Sequence, residues 1–324
     1  MTPAEGTTAG DRGQFGGGGD SVAGDRGQFG GREGLAAGDR GQSGVPEVVA
    51  VIGGGRMGAG IAQVFAVAGA RVTIVEESER AAAAARERVA TGLTRAAERG
   101  KLAADPSSVL RLIATGPVPP EAGLVVEAVP EDAGLKVKVL CAAEAVVGAQ
   151  AVLASNTSSL SIAGLADGLT RPGQLIGLHF FNPVPASDLV EIVIGPQTAP
   201  TVRDLAAGWV AALGKTAVTV RDSPGFATSR LGVLLGLEAI RMLEEGVADA
   251  AAIDRAMELG YRHPMGPLRS TDLVGLDVRL AIAEHLHREL GERFTPPRLL
   301  RDKVARGELG RKTGQGFYHW PGAR

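Results

Sequence analysis

Between Val45 and Asp222 the chain alternates short apolar runs with segments in which apolar residues recur every three or four positions. The first run, EVVAVIG at 47–53, is rich in valine and bounded by glycine, as buried strands are. The next stretch, MGAGIAQVFAVAGA, has helical spacing, and a polar, alanine-rich helix is predicted from Glu79 to Arg99. Strands that alternate with helices form βαβ units, so we predict a mostly parallel sheet. The other predicted strands lie in RVTIVE, RLIAT, GLVVEAV, AVLAS, LIGLHFF, LVEIVI and TAVTVRD.

Beyond Asp222 the strand-like runs stop, and the regular segments all have helical spacing. Asp249 is suited to cap one of these helices, because its carboxylate can accept hydrogen bonds from the first turn. We therefore predict an α/β domain over residues 45–222 and an all-α domain over residues 223–324. The predicted helices span Gly225–Glu245, Asp249–Leu259, Thr271–Leu290 and Pro297–Ala305.

Residues 1–44 have a different composition from the rest of the chain. The sequence AGDRGQ begins at Ala9, Ala23 and Ala37, and glycine supplies 15 of the 44 positions. Large apolar residues are nearly absent, so burial cannot offset the entropy lost on ordering. This pattern predicts a disordered tail, and the alternative is a repeat that binds a partner.

Composition narrows the classes of function. Lys and Arg number 34 against 36 Asp and Glu, and aromatic residues make up 4% of the chain. This balance does not favour nucleic acid as a partner. Cys141 is the only cysteine, which excludes an intrachain disulfide and a cysteine-rich metal site and fits a reducing cytoplasm. We find no apolar run of about 18 residues that would predict a membrane span, and no secretory signal is expected from the start MTPAEGTTAG.

The sequence GGGRMG at 53–58 directly follows the first predicted strand and opens a helix. Gly53 permits a tight turn, Gly55 lets the backbone approach a pyrophosphate, and Gly58 allows close packing of helix on strand. Glu76 ends the second strand, where a carboxylate accepts hydrogen bonds from the adenosine ribose and repels a 2′-phosphate. The pattern predicts a Rossmann-type, doubly wound domain that binds NAD. The alternative is a glycine-rich turn without a ligand.

His179 differs from the other four histidines because it ends an apolar strand of the α/β domain, where ligands of open sheets bind. Glu191 lies in the next strand, in an otherwise apolar run. A buried carboxylate needs a partner, and a His–Glu pair on adjacent strands would fix the imidazole tautomer and stabilise its charged form. This pair is a candidate general base, and the alternative is a structural buried pair.

Two hydroxyl-rich segments are further candidates. SNTSSL at 155–160 lies at the end of the strand AVLAS, where its side chains can face the same crevice or cap a helix, and both interpretations can hold for different residues. PGFATSRL at 224–231 opens a long, largely buried helix with the polar residues Thr228, Ser229 and Arg230. A hydroxyl in that place either faces a ligand or bonds back to the backbone.

The chain resembles the 3-hydroxyacyl-CoA dehydrogenase family, including its bacterial 3-hydroxybutyryl-CoA dehydrogenases. The resemblance extends from about Glu47 to Trp320 and is most specific in ASNTSSL and HFFNPVP. It implies reversible oxidation of the L-3-hydroxyl of a short-chain acyl-CoA by NAD, a role in fatty-acid and butanoate metabolism, and a homodimer formed by the helical domain. The other motifs that carry it are GGGRMGAGIA, VVEAVPED, LVEIV, DSPGF, EAIRMLEEG, AMELG, HPMGP, DLVGLD and GRKTGQGFY.

The resemblance also implies roles for individual residues. His179 corresponds to the catalytic base and Glu191 to its partner, while Ser158 contacts both the substrate oxygen and the cofactor. In the family the motif PGF is usually followed by two residues and Asn-Arg-Leu, so Ser229 stands where a catalytic asparagine is expected. For coenzyme A the basic candidates are Arg95, Arg99 and Lys101. The implied cofactor contacts are Gly53, Gly55, Arg56, Met57, Gly58, Glu76, Glu131, Lys136, Ser158, Asn182 and Lys312.

Two other functions remain open on the sequence. One is a related dehydrogenase of a free or carrier-bound hydroxy acid, similar to L-gulonate 3-dehydrogenase and lambda-crystallin. The other is a catalytically idle NAD-binding protein, although the presence of both His179 and Glu191 argues against it.

Overall fold

A computed structural model describes residues 44–322 of the chain. The predicted tail, apart from Gly44, lies outside the described residues. Eight strands form one sheet in the order β3-β2-β1-β4-β5-β6-β7-β8. Neighbouring strands are parallel, except that β6 and β7 are antiparallel. The strands are β1 Val48–Ile52, β2 Arg71–Val75, β3 Ile113–Thr115, β4 Leu124–Glu127, β5 Val152–Ser155, β6 Leu175–Phe180, β7 Leu189–Ile194 and β8 Thr216–Arg221.

Helices cover both faces of the sheet, which explains why its central strands are apolar at successive positions. In β1, Val49 and Val51 belong to one hydrophobic core, whereas Val48, Ala50 and Ile52 belong to another on the opposite face. Successive side chains of a strand point to opposite faces, so both faces of β1 are buried. This order and layering confirm the predicted Rossmann-type sheet. The helices that accompany it are α1 Arg56–Val67, α2 Glu79–Glu98, α3 Pro106–Leu110, α4 Ala133–Glu144, α5 Ile162–Ala166 and α6 Pro200–Ala212.

The segment after β8 is helical and has a hydrophobic core of its own, which includes Val233, Leu237 and Leu286. Its helices are α7 Thr228–Glu244, α8 Ala250–Gly260, α9 Pro267–Val274, α10 Leu276–Leu290 and α11 Arg298–Ala305. The predicted cap is present, because the Asp249 carboxylate accepts from the backbone N–H of Ala252 at 2.8 Å. Among residues 44–322 no helix has the length and apolar character needed to cross a bilayer.

One helix prediction was wrong, and two short helices were not predicted. The single helix expected over Thr271–Leu290 is two helices, because Gly275 has φ +106°, a conformation that an α-helix cannot contain. The short helices α3 and α5 were missed, since five residues are too few to show helical periodicity.

Candidate active site

The glycine loop after β1 has the shape that a dinucleotide requires. Gly53 has φ +93°, and a Cβ there would lie 2.8 Å from the carbonyl oxygen of Ala128. A Cβ on Gly58 would lie 1.7 Å from the carbonyl oxygen of Gly53, so only glycine fits at either position. Beside Gly55, by contrast, a Cβ would meet no atom of the described chain within 4 Å. The loop therefore leaves open space where a pyrophosphate would approach the start of α1.

The residues that flank the glycine loop also suit a dinucleotide. Arg56 and Met57 form the first two positions of α1, whose first turn carries no acidic residue. Glu76 lies directly after β2, and its Oε1 accepts a hydrogen bond from the backbone N–H of Gly54 at 2.5 Å. This bond fixes the carboxylate beside the glycine loop, in the place where NAD recognition requires it.

His179 and Glu191 face each other across the antiparallel pair β6–β7. The Nδ1 atom of His179 lies 2.8 Å from Oε2 of Glu191, and the side chains are 8% and 0% exposed. Two aromatic rings lie near the imidazole, with centroid distances of 4.3 Å to Phe181 and 5.9 Å to Phe226. The contact expected from the sequence is therefore present, and both groups are held in one orientation.

The start of the helical segment holds the Glu191 carboxylate from the other side. Its Oε1 accepts from the backbone N–H groups of Ala227 at 3.1 Å and Thr228 at 2.9 Å. Its Oε2 accepts from the Thr228 hydroxyl at 2.7 Å. Burial alone would raise the pKa of Glu191, but the hydrogen bonds from His179 and Thr228 outweigh it and hold the pKa below the usual value. Glu191 is thus a carboxylate at neutral pH.

The SNTSSL segment surrounds Glu131. That carboxylate accepts from the Thr157 hydroxyl at 2.6 Å and from Ser158 through both its N–H at 3.0 Å and its hydroxyl at 3.3 Å. Burial would raise the pKa of Glu131, but the Lys136 ammonium and these hydrogen bonds keep it low. The cap of α5 is Ser161, which lies just beyond the segment. The Thr157 hydroxyl oxygen also accepts from the backbone N–H of Leu160 at 2.9 Å, as a capping residue does. No helix begins at Thr157, however, so this bond closes a turn, and the hydroxyls of the segment bond both to the backbone and to a carboxylate.

Lys136 is almost completely enclosed. Its Nζ lies 2.7 Å from Glu127 and 3.2 Å from Glu131, and its side chain is 2% exposed. Ser155 also donates to Glu127, at 2.6 Å. Because the Lys136 side chain has almost no exposed surface, it has little room to contact a cofactor directly. Its ion pair with Glu131 would instead fix the position of that carboxylate.

The remaining predicted residues lie in several places. Asn182 is exposed and follows β6, three residues after His179. Ser229, in the first turn of α7, is partly exposed, and its hydroxyl forms no hydrogen bond with residues 44–322. The described structure therefore contains no bond from Ser229 back to the backbone.

Within residues 44–322 the other basic candidates form no hydrogen bond or ion pair with the residues above. The Nζ of Lys312 lies 2.5 Å from Asp277, so its ion pair belongs to the helical segment. Arg95, Arg99 and Lys101 lie close together in sequence at the end of α2, and all three are exposed.

Sequence reasoning missed three groups that shape the site. Thr228 supplies two of the hydrogen bonds to Glu191. Glu127 joins β4 to Lys136 and Ser155. Asn156 accepts from the backbone N–H of Phe180 at 2.9 Å and so links the ends of β5 and β6. Only Glu127 could have been found from the sequence. It is a carboxylate within the apolar run GLVVEAV, and a carboxylate in such a run needs buried partners, as Glu191 does.

Comparison with known proteins identifies the family. The model of the NAD binding domain of 3-hydroxyacyl-CoA dehydrogenase matches residues 48–223, and the model of the C-terminal domain matches residues 225–320. A probable 3-hydroxybutyryl-CoA dehydrogenase of Deinococcus radiodurans is 41% identical over 274 residues, which is 83% of this chain and 99% of that protein. The mitochondrial hydroxyacyl-coenzyme A dehydrogenase of Sus scrofa is 38% identical over 285 residues, covering 84% and 90% of the two chains.

Solved structures agree with this result. The (S)-3-hydroxybutyryl-CoA dehydrogenase of Ralstonia eutropha superimposes with a TM-score of 0.81 at 41% identity, covering 85% of this chain and 99% of that one. The resemblance inferred from the motifs is therefore confirmed. The chain belongs to the 3-hydroxyacyl-CoA dehydrogenase family and is an NAD-dependent oxidoreductase.

Proposed function

We propose that the enzyme reversibly oxidises the C3 hydroxyl of short-chain L-3-hydroxyacyl-CoA thioesters, of which 3-hydroxybutyryl-CoA is the simplest, with His179 as the general base. The observation that carries this proposal is the buried 2.8 Å contact between His179 and Glu191. The names of the relatives from Deinococcus radiodurans and Ralstonia eutropha support the choice of substrate.

The contact determines how His179 handles a proton. Glu191 is ionised and can only accept, so Nδ1 of His179 carries a hydrogen and Nε2 presents its lone pair. Nε2 takes the proton from the C3 hydroxyl as the C3–H bond breaks. The positive charge that then forms on the ring is stabilised by the carboxylate 2.8 Å away. In the reverse direction the same nitrogen returns the proton to the C3 oxygen.

The cofactor site fits NAD through Gly53, Gly55, Gly58 and Glu76. When bound there, NAD supplies the hydride acceptor, and the protein supplies orientation and electrostatics. Arg56, Met57, Glu131, Lys136, Asn182 and Lys312 would complete its surroundings. Lys136 would act by holding Glu131 in place.

Serine hydroxyls would hold the C3 oxygen while it carries negative charge. Ser158 lies in the segment around Glu131, and Ser229 begins the helix that holds Glu191. The Ser158 hydroxyl, which donates to Glu131 at 3.3 Å, would turn its one hydrogen from that carboxylate to the substrate oxygen. A donor directed at the developing oxyanion lowers the barrier. Arg95, Arg99 and Lys101 would attract the coenzyme A phosphates to the end of α2.

The protein is proposed to form a homodimer through its helical domain. Several large apolar side chains of this domain are exposed in the single chain, including Leu231 at 61% and Val247 at 60%. Apolar surface of this kind is usual where two subunits meet.

We place the enzyme in the cytoplasm, in keeping with its single cysteine, and assign it to fatty-acid β-oxidation and butanoate metabolism.

Oxidation of NADH should be measured with acetoacetyl-CoA and, in parallel, with free acetoacetate and other free oxo acids. We expect kcat/KM for the thioester to exceed that for the free acids by several orders of magnitude. Preference for a free acid would favour the dehydrogenases similar to L-gulonate 3-dehydrogenase. Binding of NADH without turnover of any of these substrates would indicate an idle NAD-binding protein.

A further inference from the structure

Arg279 is a buried cation to which the described fold supplies no partner. It lies on α10 and is 6% exposed. Its Nε is enclosed without an acceptor, and the guanidinium forms no ion pair with residues 44–322. Burial lowers the pKa of Arg279 to about 10, so the side chain is still charged at neutral pH. A buried charge without a counter-charge is strongly unfavourable, and an anion from outside this part of the chain would remove that penalty.

Two glycines of α7 make room for this side chain. A Cβ on Gly236 would lie 3.8 Å from Nε of Arg279, and a Cβ on Gly232 would lie 3.6 Å from Nη1. The guanidinium therefore extends along α7 from Gly236 towards Gly232, in the direction of the N-terminal end of the helix. Beyond that one nitrogen, a Cβ on Gly232 would meet nothing in the described chain within 4 Å. The surface of α7 is open at this point.

The open surface leads towards the His179–Glu191 pair. Ser229, Gly232 and Gly236 are separated by three and four residues, so they share one face of α7. Gly232 follows Ser229 by about 4.5 Å along the helix axis. Thr228, the residue before Ser229, donates to Glu191 at 2.7 Å. The guanidinium thus lies beside α7 about one helical turn beyond Ser229.

A second copy of the chain could also supply the anion. Leu231 and Leu234 of α7 lie on the side of the helix away from Gly236, but Leu235 of the same helix and Val278, the residue before Arg279, are also exposed. A contact between subunits is therefore the alternative that the experiment must separate from a bound ligand. The candidates for the coenzyme A phosphates, Arg95, Arg99 and Lys101, are at the end of α2 in the other domain.

We propose that Arg279 binds a carboxylate at the far end of the acyl chain, so that the enzyme prefers 3-hydroxyacyl-CoA thioesters whose chain ends in a carboxylate. This inference rests on the proposed function. In a six-carbon chain the second carboxyl carbon lies three bonds beyond C3, a reach of about 4 Å at ordinary C–C lengths. That reach matches the single helical turn between Ser229 and Gly232. The planar guanidinium can then pair with both carboxylate oxygens.

The test compares two substrates of equal chain length. 3-Hydroxyadipyl-CoA ends in a carboxylate, whereas 3-hydroxyhexanoyl-CoA ends in a methyl group. For the wild-type enzyme we expect kcat/KM to be at least about 10-fold higher for the dicarboxylic substrate, mainly through a lower KM. Arg279→Met should reduce this ratio to about one or below, and Arg279→Lys, which keeps the charge but not the paired geometry, should give an intermediate value. Arg288→Met, at an exposed arginine of the same helix, is the matched control and should leave the ratio unchanged.

Each outcome decides the proposal. A wild-type enzyme that is active on both substrates without preferring the carboxylate would overturn it and leave the proposed function intact. Inactivity on both six-carbon substrates would overturn the proposal for Arg279, and activity on acetoacetyl-CoA, measured in parallel, would show separately whether the proposed function holds. If Arg279→Met does not fold, the ratio of the two kcat/KM values in the wild type and in Arg279→Lys still tests the proposal. A ratio that Arg279→Met does not change also contradicts the proposal, and loss of the dimer in size-exclusion chromatography would then assign Arg279 to a contact between subunits.

Discussion

At the scale of single residues, the site is organised around the carboxylate of Glu191. His179 donates to it from one side, and Ala227 and Thr228 donate from the other. The sequence was sufficient to predict the His179–Glu191 contact, because a histidine and a glutamate in neighbouring apolar strands require partners. It was not sufficient to predict the role of Thr228, because nothing in PGFATSRL shows which hydroxyl turns towards the sheet.

Replacement of Thr228 by valine tests this contact. Valine keeps the shape of threonine but removes the hydrogen bond to Oε2 of Glu191, while both backbone donors to Oε1 remain. Because a hydrogen bond to a charged group contributes about 1.5–3 kcal/mol, we expect kcat/KM to fall by about 10- to 150-fold. Thr228→Ser retains the hydroxyl and serves as the control. Equal kcat/KM for the valine variant and the wild type would show that the bond has no part in catalysis.

Ser229 is expected to act on the substrate and not on the fold. Its hydroxyl has no partner within the described residues, so Ser229→Ala should leave the melting temperature unchanged. The same substitution should reduce kcat/KM by about 5- to 30-fold, which corresponds to about 1–2 kcal/mol and is near the range of an ordinary hydrogen bond. Ser229→Asn, which restores the residue usual in the family, should keep or raise activity on acetoacetyl-CoA. A lower melting temperature with unchanged kinetics would instead assign Ser229 to the start of the helix.

At the scale of elements, the pattern of apolar positions predicted all eight strands and the long helices. It failed where the cause lies in three dimensions. The break between α9 and α10 depends on the backbone conformation of Gly275, which a helical repeat does not reveal. The link between β4, α4 and β5 depends on the group of Glu127, Lys136 and Ser155. Of these three, only Glu127 stands out in the sequence, as a charge within an apolar run.

Lys136→Met tests whether this buried group holds the elements together. Removing the ammonium leaves the Glu127 carboxylate buried with two neutral donors, Ser155 and the backbone N–H of Val129. Loss of one member of a buried ion pair typically costs about 3–5 kcal/mol, so we expect a reduction of that size in the free energy of unfolding in urea. Lys138→Met, at an exposed position of the same helix, should change it by less than about 0.5 kcal/mol. Similar free energies of unfolding for Lys136→Met and Lys138→Met would mean that the buried ion pair does not stabilise the fold.

At the scale of the whole molecule, the dyad joins two parts of the chain. His179 and Glu191 belong to the sheet, whereas Ala227 and Thr228 belong to the start of the helical domain and bond directly to Glu191. A displacement of the helical domain would therefore disturb the carboxylate. In the proposed mechanism, this connection makes the position of the second domain part of the catalytic arrangement.

Residues 1–44 should be dispensable for this arrangement. Their glycine content and lack of large apolar residues leave little surface to pack on the domains. We expect a chain that starts at Val45 to retain the melting temperature and the kcat/KM of the full chain. A melting temperature several degrees lower would show that the repeat segment packs on the fold.

The central claim is that His179, held by Glu191, moves the proton of the C3 hydroxyl. The most direct measurement is kcat for NADH oxidation with acetoacetyl-CoA, compared between wild type, His179→Gln and His285→Gln as a control on α10. We expect His179→Gln to lower kcat by about 10²- to 10⁴-fold, the usual contribution of a positioned acid–base group. Its affinity for NADH, measured by fluorescence titration, should remain close to that of the wild type, because His179 lies outside the glycine loop. Near-normal turnover in His179→Gln would contradict the account and require another group to act as the base.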